Sequence, residues 1–156
     1  MSKEIKKKVV IDKKQETLNY DFENVVLGRG ATYIAKELRS GNNVNIYNAE
    51  KAVITGNKKM IFEKYQEKQD YGAKGNPLHG PKYPKTPHGI VRRTIRGMIK
   101  RKKATGIDAY RRLRVYIGNP ETTVKFTKLD KAMANPVRKH LTIAEVSKFL
   151  GSKWWY

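Results

Sequence analysis

Cysteine is absent from the sequence. That absence removes disulfides, thiolate zinc sites and cysteine nucleophiles together, and it fits a reducing compartment. Acid is scarce: 14 Asp and Glu stand against 34 Lys and Arg, a formal charge of +20 on 156 residues. Long apolar runs are missing as well. None approaches the roughly 18 residues of a membrane-crossing helix, and no apolar stretch behind the opening MSKEIKKK has the form of a secretory signal. No expected helix sets a broad Trp/Leu/Phe face against a Lys/Arg face, so attachment to anionic lipid is not expected either. The expectation is a soluble, cytoplasmic protein with no membrane partner.

The signatures of catalysis and cofactor binding are also wanting. His79, His88 and His140 have no metal-ligand spacing and no cysteine to help them. There is no GxxxxGK[ST] loop. Gly28-x-Gly30 has the opening spacing of a dinucleotide-binding turn, but the third glycine position holds Tyr33. Asp12, Glu50 and Asp108 are scattered singly, and Asp12 reads as the end of a strand. No enzyme, cofactor or metal is expected.

What the chain has in excess is cation, and it is concentrated. Between Gly72 and Arg114 lie thirteen Lys and Arg against one acid, Asp108, so this stretch carries +12 of the formal +20. Self-repulsion of that density opposes folding unless a polyanion neutralises it, and the commonest polyanion in a cell is nucleic acid. Glycines and prolines crowd Gly72–Gly80, and Pro81, Pro84 and Pro87 follow, which predicts a long structured loop. Thr86-Pro87 then reads as N-cap and first position of a helix running to about Lys102. Val91, Ile95, Met98 and Ile99 make its apolar stripe. Arg92, Arg96, Lys100 and Lys103 make a cationic one at offsets of four, eight and eleven. Gly97 within that helix predicts either a close backbone approach or a bend. His79, Tyr83 and Tyr110 interleave with the cations and could stack on unpaired bases.

The rest reads as a scaffold. Its 38% hydrophobic content suits one modest core. Val9-Val10-Ile11 reads as a strand and Lys13–Asn24 as an irregular insertion. Asn24 is a candidate N-cap for a helix to Ser40, with Leu27, Ala31, Ile34, Ala35 and Leu38 on one stripe and a stop at Gly41. Strands are expected at 44–47, 52–55 and 115–117, a helix from Lys58 to about Gln69, and a short basic helix at 107–113. Strands alternating with helices argue for an α/β fold built on a four-stranded parallel sheet with helices on both faces. Past Pro120 the chain is polar up to Thr142-x-x-Glu145, a capping box opening a short helix with Ile143, Val146, Phe149 and Leu150 on one face. The expected organisation is a charged tail (1–8), an RNA-binding core (9–120) and an extension (121–156) ending in Trp154-Trp155-Tyr156.

Three ordered motifs carry a resemblance: His79-Gly-Pro-Lys-Tyr-Pro-Lys-Thr-Pro87, Arg92-Arg-Thr-Ile-Arg-Gly-Met98 and Arg112-Leu-Arg-Val-Tyr-Ile-Gly118. With Val9-Val-Ile-Asp12, Leu27-Gly-Arg29 and Asn48-Ala-Glu-Lys-Ala-Val-Ile-Thr-Gly-Asn57, they resemble the thirteenth universal family of large-subunit ribosomal proteins, in its archaeal wording, over about residues 8–120. The resemblance implies a three-layer α/β/α fold with a four-stranded parallel sheet. It also implies a structural constituent of the large ribosomal subunit that binds large-subunit rRNA and is important in assembly. Its partners would be rRNA, neighbouring ribosomal proteins and, as in eukaryotic members that repress translation off the ribosome, mRNA. A free-standing RNA regulator is the alternative. The matching motifs assign RNA contacts to Lys82, Lys85, Arg92, Arg93, Arg96, Arg111, Arg112 and Arg114. The charge pattern adds Tyr83, Lys100, Arg101, Lys102 and Lys103. Relatives usually have Pro at the position of Lys100 and a larger apolar residue at that of Gly30, so a different helix end and a looser helix start are expected here.

Overall fold

The computed structural model describes residues 16–72, 75–76, 78–119, 125–127, 129–135 and 137–153. The expected strand Val9–Ile11, the tail before it and the three terminal aromatics lie outside the described residues.

The first described element is a strand, β1 (Thr17–Asp21), in the stretch whose polarity suggests an irregular insertion. It pairs parallel with β2 (Asn43–Tyr47), Leu18 opposite Val44 and Tyr20 opposite Ile46. Its polar side chains are satisfied sideways. Asn45 donates to Asn19 across the pair at 3.0 Å, and Asn48 donates to Asp21 at 2.9 Å. Tyr20 and Phe22 point inward, Phe22 fully buried. The alternation of a half-buried strand is therefore present, carried by Leu18, Tyr20 and Phe22.

Helix α1 (Leu27–Ser40) follows, and all five predicted stripe residues are buried. Its N-cap is Val26; Asn24 sits earlier, in a left-handed turn at φ 56°. Gly41 closes the helix at φ 106°, a conformation few side chains tolerate. Gly30 does not loosen the start. A Cβ there would lie 2.6 Å from Val25 Cγ1 and 3.1 Å from Phe22 Cζ, so the Phe22 ring occupies the space a larger residue would need.

Among the described residues the parallel sheet has three strands where four are expected, in the order β1-β2-β4, with β4 at Leu113–Val115. β3 (Val53–Thr55) pairs antiparallel with β5 (His140–Thr142) instead. Chain length explains this. A parallel return needs a crossover of about a dozen residues, and only a short 3-10 turn at Ala49–Lys51 lies between β2 and β3. β4 begins two residues before the expected position. The ladder continues past it, with Tyr116 N–H donating to Ile46 O at 2.8 Å and Asn48 N–H to Gly118 O at 3.0 Å.

Helix α2 (Lys58–Asp70) is capped by Asn57, whose side chain accepts from Lys59 N–H. Helix α3 (Pro87–Met98) stops four residues short of the expected Lys102, and α4 (Ala104–Arg111) begins three residues early. Gly97 therefore falls in the last turn of α3, and nothing lies within 4 Å of a Cβ built on it. The close backbone approach is at Gly106, where a Cβ would stand 2.1 Å from the Lys100 carbonyl oxygen. The turn at 99–103 folds directly onto α4.

Helix α5 (Ile143–Phe149) has the predicted capping box. Leu141, Ile143, Val146 and Leu150 join Ile34, Leu38, Ile46, Ile95 and Leu113 in a single buried cluster. Each large side chain buried there is worth about 1.5–3 kcal/mol. α1 packs chiefly on α3, and α5 reaches both α2 and α3. The cationic helix α3 is thus held from two sides.

Candidate nucleic-acid interface

Helix α3 has two faces. Val91 and Ile95 are fully buried, with Ile90 and Ile99 nearly so, while Arg92 is exposed and Arg93 and Arg96 are half-buried. Met98, expected on the apolar stripe, is 39% exposed because the helix ends there.

The proline loop is fastened to this helix and to its neighbours. Arg93 lays its guanidinium 3.7 Å from the centre of the Tyr83 ring and donates to Lys82 O at 2.8 Å. Gln69 donates to Tyr83 O at 3.3 Å, and the Ser147 hydroxyl donates to Lys85 O at 2.6 Å. Gly89 lets the loop lie against the first turn of α3, since a Cβ there would be 2.6 Å from Pro84 Cβ. Three elements therefore hold the loop by its main chain, which leaves the side chains of Lys82 and Lys85 exposed.

Between loop and helix runs a groove of about 470 Å³. Lys82, Tyr83, His88, Arg92, Arg93, Arg96 and Tyr110 line it, and among the described residues no carboxylate does. Tyr110 comes from α4, with Arg92 4.8 Å and Arg101 5.9 Å from its ring. Such contacts orient a guanidinium without neutralising it. Partial burial of the His88 ring, and then the nearby Arg92, hold its pKa below the ordinary histidine value. At neutral pH it lines the groove uncharged.

The predicted residues divide accordingly. Lys82, Tyr83, Arg92, Arg93 and Arg96 share the groove. Lys100, Arg101, Lys102 and Lys103 leave the helical stripe and form an exposed turn beside it. Arg111 is exposed and faces Asp108 at 3.6 Å, a surface pair of little energetic weight. Arg114 is exposed on β4, opposite Asn45. Arg112 turns inward and donates to Leu38 O, at the end of α1, at 2.9 Å; its Nε is buried without a partner among the described residues. Behind Tyr83 the structure adds Tyr65, Lys68 and Gln69 of α2. Periodicity sets Ile61, Phe62 and Tyr65 of this helix inward and its lysines outward; Lys68 departs from that pattern, half-buried beside the loop.

Fold and surface together define a mixed α/β protein that presents a cationic, carboxylate-free groove and, among the described residues, no cluster able to hold a metal ion and no helix long and apolar enough to cross a membrane. Residues 15–122 match the model of the Ribosomal protein L13 family, and the chain belongs to that family, a structural and non-enzymatic one. The match starts after Val9–Asp12, so the part of the resemblance placed on those residues lies outside it. The chain is 45% identical over 146 residues to the large ribosomal subunit protein uL13 of Archaeoglobus fulgidus, covering 87% of this chain and 92% of that protein. It is 44% identical to uL13 of Methanococcus maripaludis (85% and 96% covered) and 40% identical to uL13 of Haloarcula marismortui (86% and 92%). The archaeal resemblance is thereby confirmed.

Proposed function

We propose that the chain is a structural constituent of the large ribosomal subunit, in the cytoplasm, that binds and stabilises large-subunit rRNA and takes part in subunit assembly. The observation that carries this is the groove along α3, where four cations and two tyrosines converge without a carboxylate. Arginines there can clamp phosphates bidentately, and tyrosine edges can meet splayed bases. Because three elements hold the loop, little ordering entropy remains to be lost on binding. Lys85, the 100–103 turn, Arg111 and Arg114 extend the cationic surface, whereas Arg112 we assign to the fold. Phosphate contacts position the protein, and RNA shape and stacking supply selectivity.

A neighbouring ribosomal protein would find a different surface. The rings of Phe62 and Phe149 stack at 4.3 Å above a groove that Glu63, Glu67 and Asp70 also line. This patch would repel phosphate and suits a basic protein segment. Membership of the family lends no support to an mRNA partner.

The test is binding to a large-subunit rRNA transcript. Arg92→Ala with Arg96→Ala is expected to lower the slope of log affinity against log salt by about 0.7–0.9 for each phosphate no longer neutralised, with the melting temperature unchanged. Affinity and slope equal to wild type would contradict the assignment.

A further inference from the structure

We propose that the cavity between α2, the 81–86 loop and α3 is a second phosphate-binding site, separated from the α3 groove by the Arg93–Tyr83 pair. The proposal rests on the RNA-binding reading above for the source of the phosphate, an RNA backbone.

The cavity measures about 230 Å³ and is lined by Tyr65, Lys68, Gln69, Tyr83, Arg93 and Thr94, together with apolar atoms of Pro84 and Ile90. At about 30 Å³ per water molecule, it has ample room for a tetrahedral phosphate and a sugar edge. Two of its walls are cationic and none is acidic. Lys68 Nζ lies 4.8 Å from the centre of the Tyr65 ring, and the Arg93 guanidinium lies 3.7 Å from that of Tyr83. Neither cation meets a carboxylate: the ion pairs among the described residues are Lys51–Glu23 and Arg111–Asp108, both elsewhere. One Arg93 nitrogen donates to Lys82 O, and Arg93 lines both this cavity and the α3 groove.

The electrostatics point the same way. Burial first, then the nearby Lys64, hold the Lys68 ammonium below the ordinary lysine pKa; Tyr83 opposes them, Arg93 adds a smaller push in the same direction, and Glu67 opposes least. A cation held where burial and other cations disfavour it is one that an anion would stabilise. Burial raises the pKa of the Tyr65 phenol, which keeps it a donor. A stacked base is the weaker candidate, because a cation already lies over each tyrosine ring. A carboxylate peptide would meet the same cations, but the strong field of a +20 chain in a ribosomal family selects for RNA.

The experiment compares wild type, Lys68→Gln and Arg92→Ala/Arg96→Ala in filter binding to large-subunit rRNA across a salt series, with melting temperatures alongside. Lys68→Gln is expected to lower the slope by about 0.7–0.9 and the affinity about sixfold near 0.1 M salt, and Lys68→Arg to restore both. An unchanged slope in Lys68→Gln with a reduced one in the double variant overturns this site and leaves the α3 groove standing. Unchanged slopes in both overturn the RNA reading itself. If Lys68→Gln melts below the assay temperature, Lys68→Met decides, since it keeps the side-chain length and removes the charge: a slope lowered by about 0.7–0.9 supports the site and an unchanged slope overturns it. Inorganic phosphate, followed through the Tyr65 ring resonances, separates the sources. A Lys68-dependent shift together with the reduced slope means the cavity takes free as well as RNA-borne phosphate. A reduced slope without a shift means RNA alone. A shift with the slope unchanged makes it a free-phosphate site and overturns its RNA role.

Discussion

At Gly106 a hydrogen stands where any side chain would strike the Lys100 carbonyl, 2.1 Å from an ideal Cβ. Backbone cannot swing aside as a flexible side chain can, so Gly106→Ala is expected to destabilise the protein by about 1–3 kcal/mol and to displace the cationic turn at 100–103. Urea denaturation, with rRNA affinity measured below the transition, checks both effects. Arg112 belongs with it. Although it stands in a basic motif, its guanidinium satisfies Leu38 O at the end of α1. Arg112→Ala is expected to lower stability by about 1.5–3 kcal/mol, the usual worth of a hydrogen bond to a charged group, while the salt slope of rRNA binding stays at the wild-type value. Residue type alone does not distinguish Arg112 from Arg111 or Arg114. What separates them is direction, and direction depends on the start of β4, which lies two residues from its expected place.

Among the elements, those written in a single period are the legible ones. α1 shows five of its six buried residues, all but Gly30, as one stripe and its stop as Gly41, and α5 announces itself through Thr142-x-x-Glu145. The capping box has a pH consequence. Glu145 Oε2 accepts from Thr142 N–H at 2.9 Å, and this bond holds the carboxyl below the ordinary glutamate pKa. A depressed folded-state value means stability present above the unfolded glutamate value and lost as pH falls through the folded one. Thr142→Ala is expected to cost about 1 kcal/mol at neutral pH, and Glu145→Gln to flatten the acid limb of a melting-temperature profile. β1 is hidden in the sequence because its polar residues are paired laterally with Asn45 and Asn48, which no reading of one strand alone reveals. The antiparallel partner of β3 lies more than eighty residues downstream, at His140–Thr142. The short β2–β3 link, however, is visible in the sequence and excludes a direct parallel return. The end of α3 is obscured because Lys100–Lys103 continue the helical spacing of its charges, while the backbone turn that Gly106 accommodates ends the helix at Met98.

For the whole molecule the excess charge is distributed by structure. The groove and the 100–103 turn collect cations around α3, and α2 and α5 present an aromatic patch beside Glu63, Glu67 and Asp70. A chain of this charge is stabilised by assembly with a polyanion, because binding removes the self-repulsion that opposes compaction. The central claim is that the α3 groove fastens the chain to the large ribosomal subunit. The most direct measurement is sedimentation of salt-washed ribosomes carrying the tagged chain. Wild type is expected to stay with the large subunit at one copy each, and Arg92→Ala/Arg96→Ala, folded to the same melting temperature, to be released at a lower salt concentration. Retention of the double variant at wild-type stoichiometry through the same wash would contradict the account.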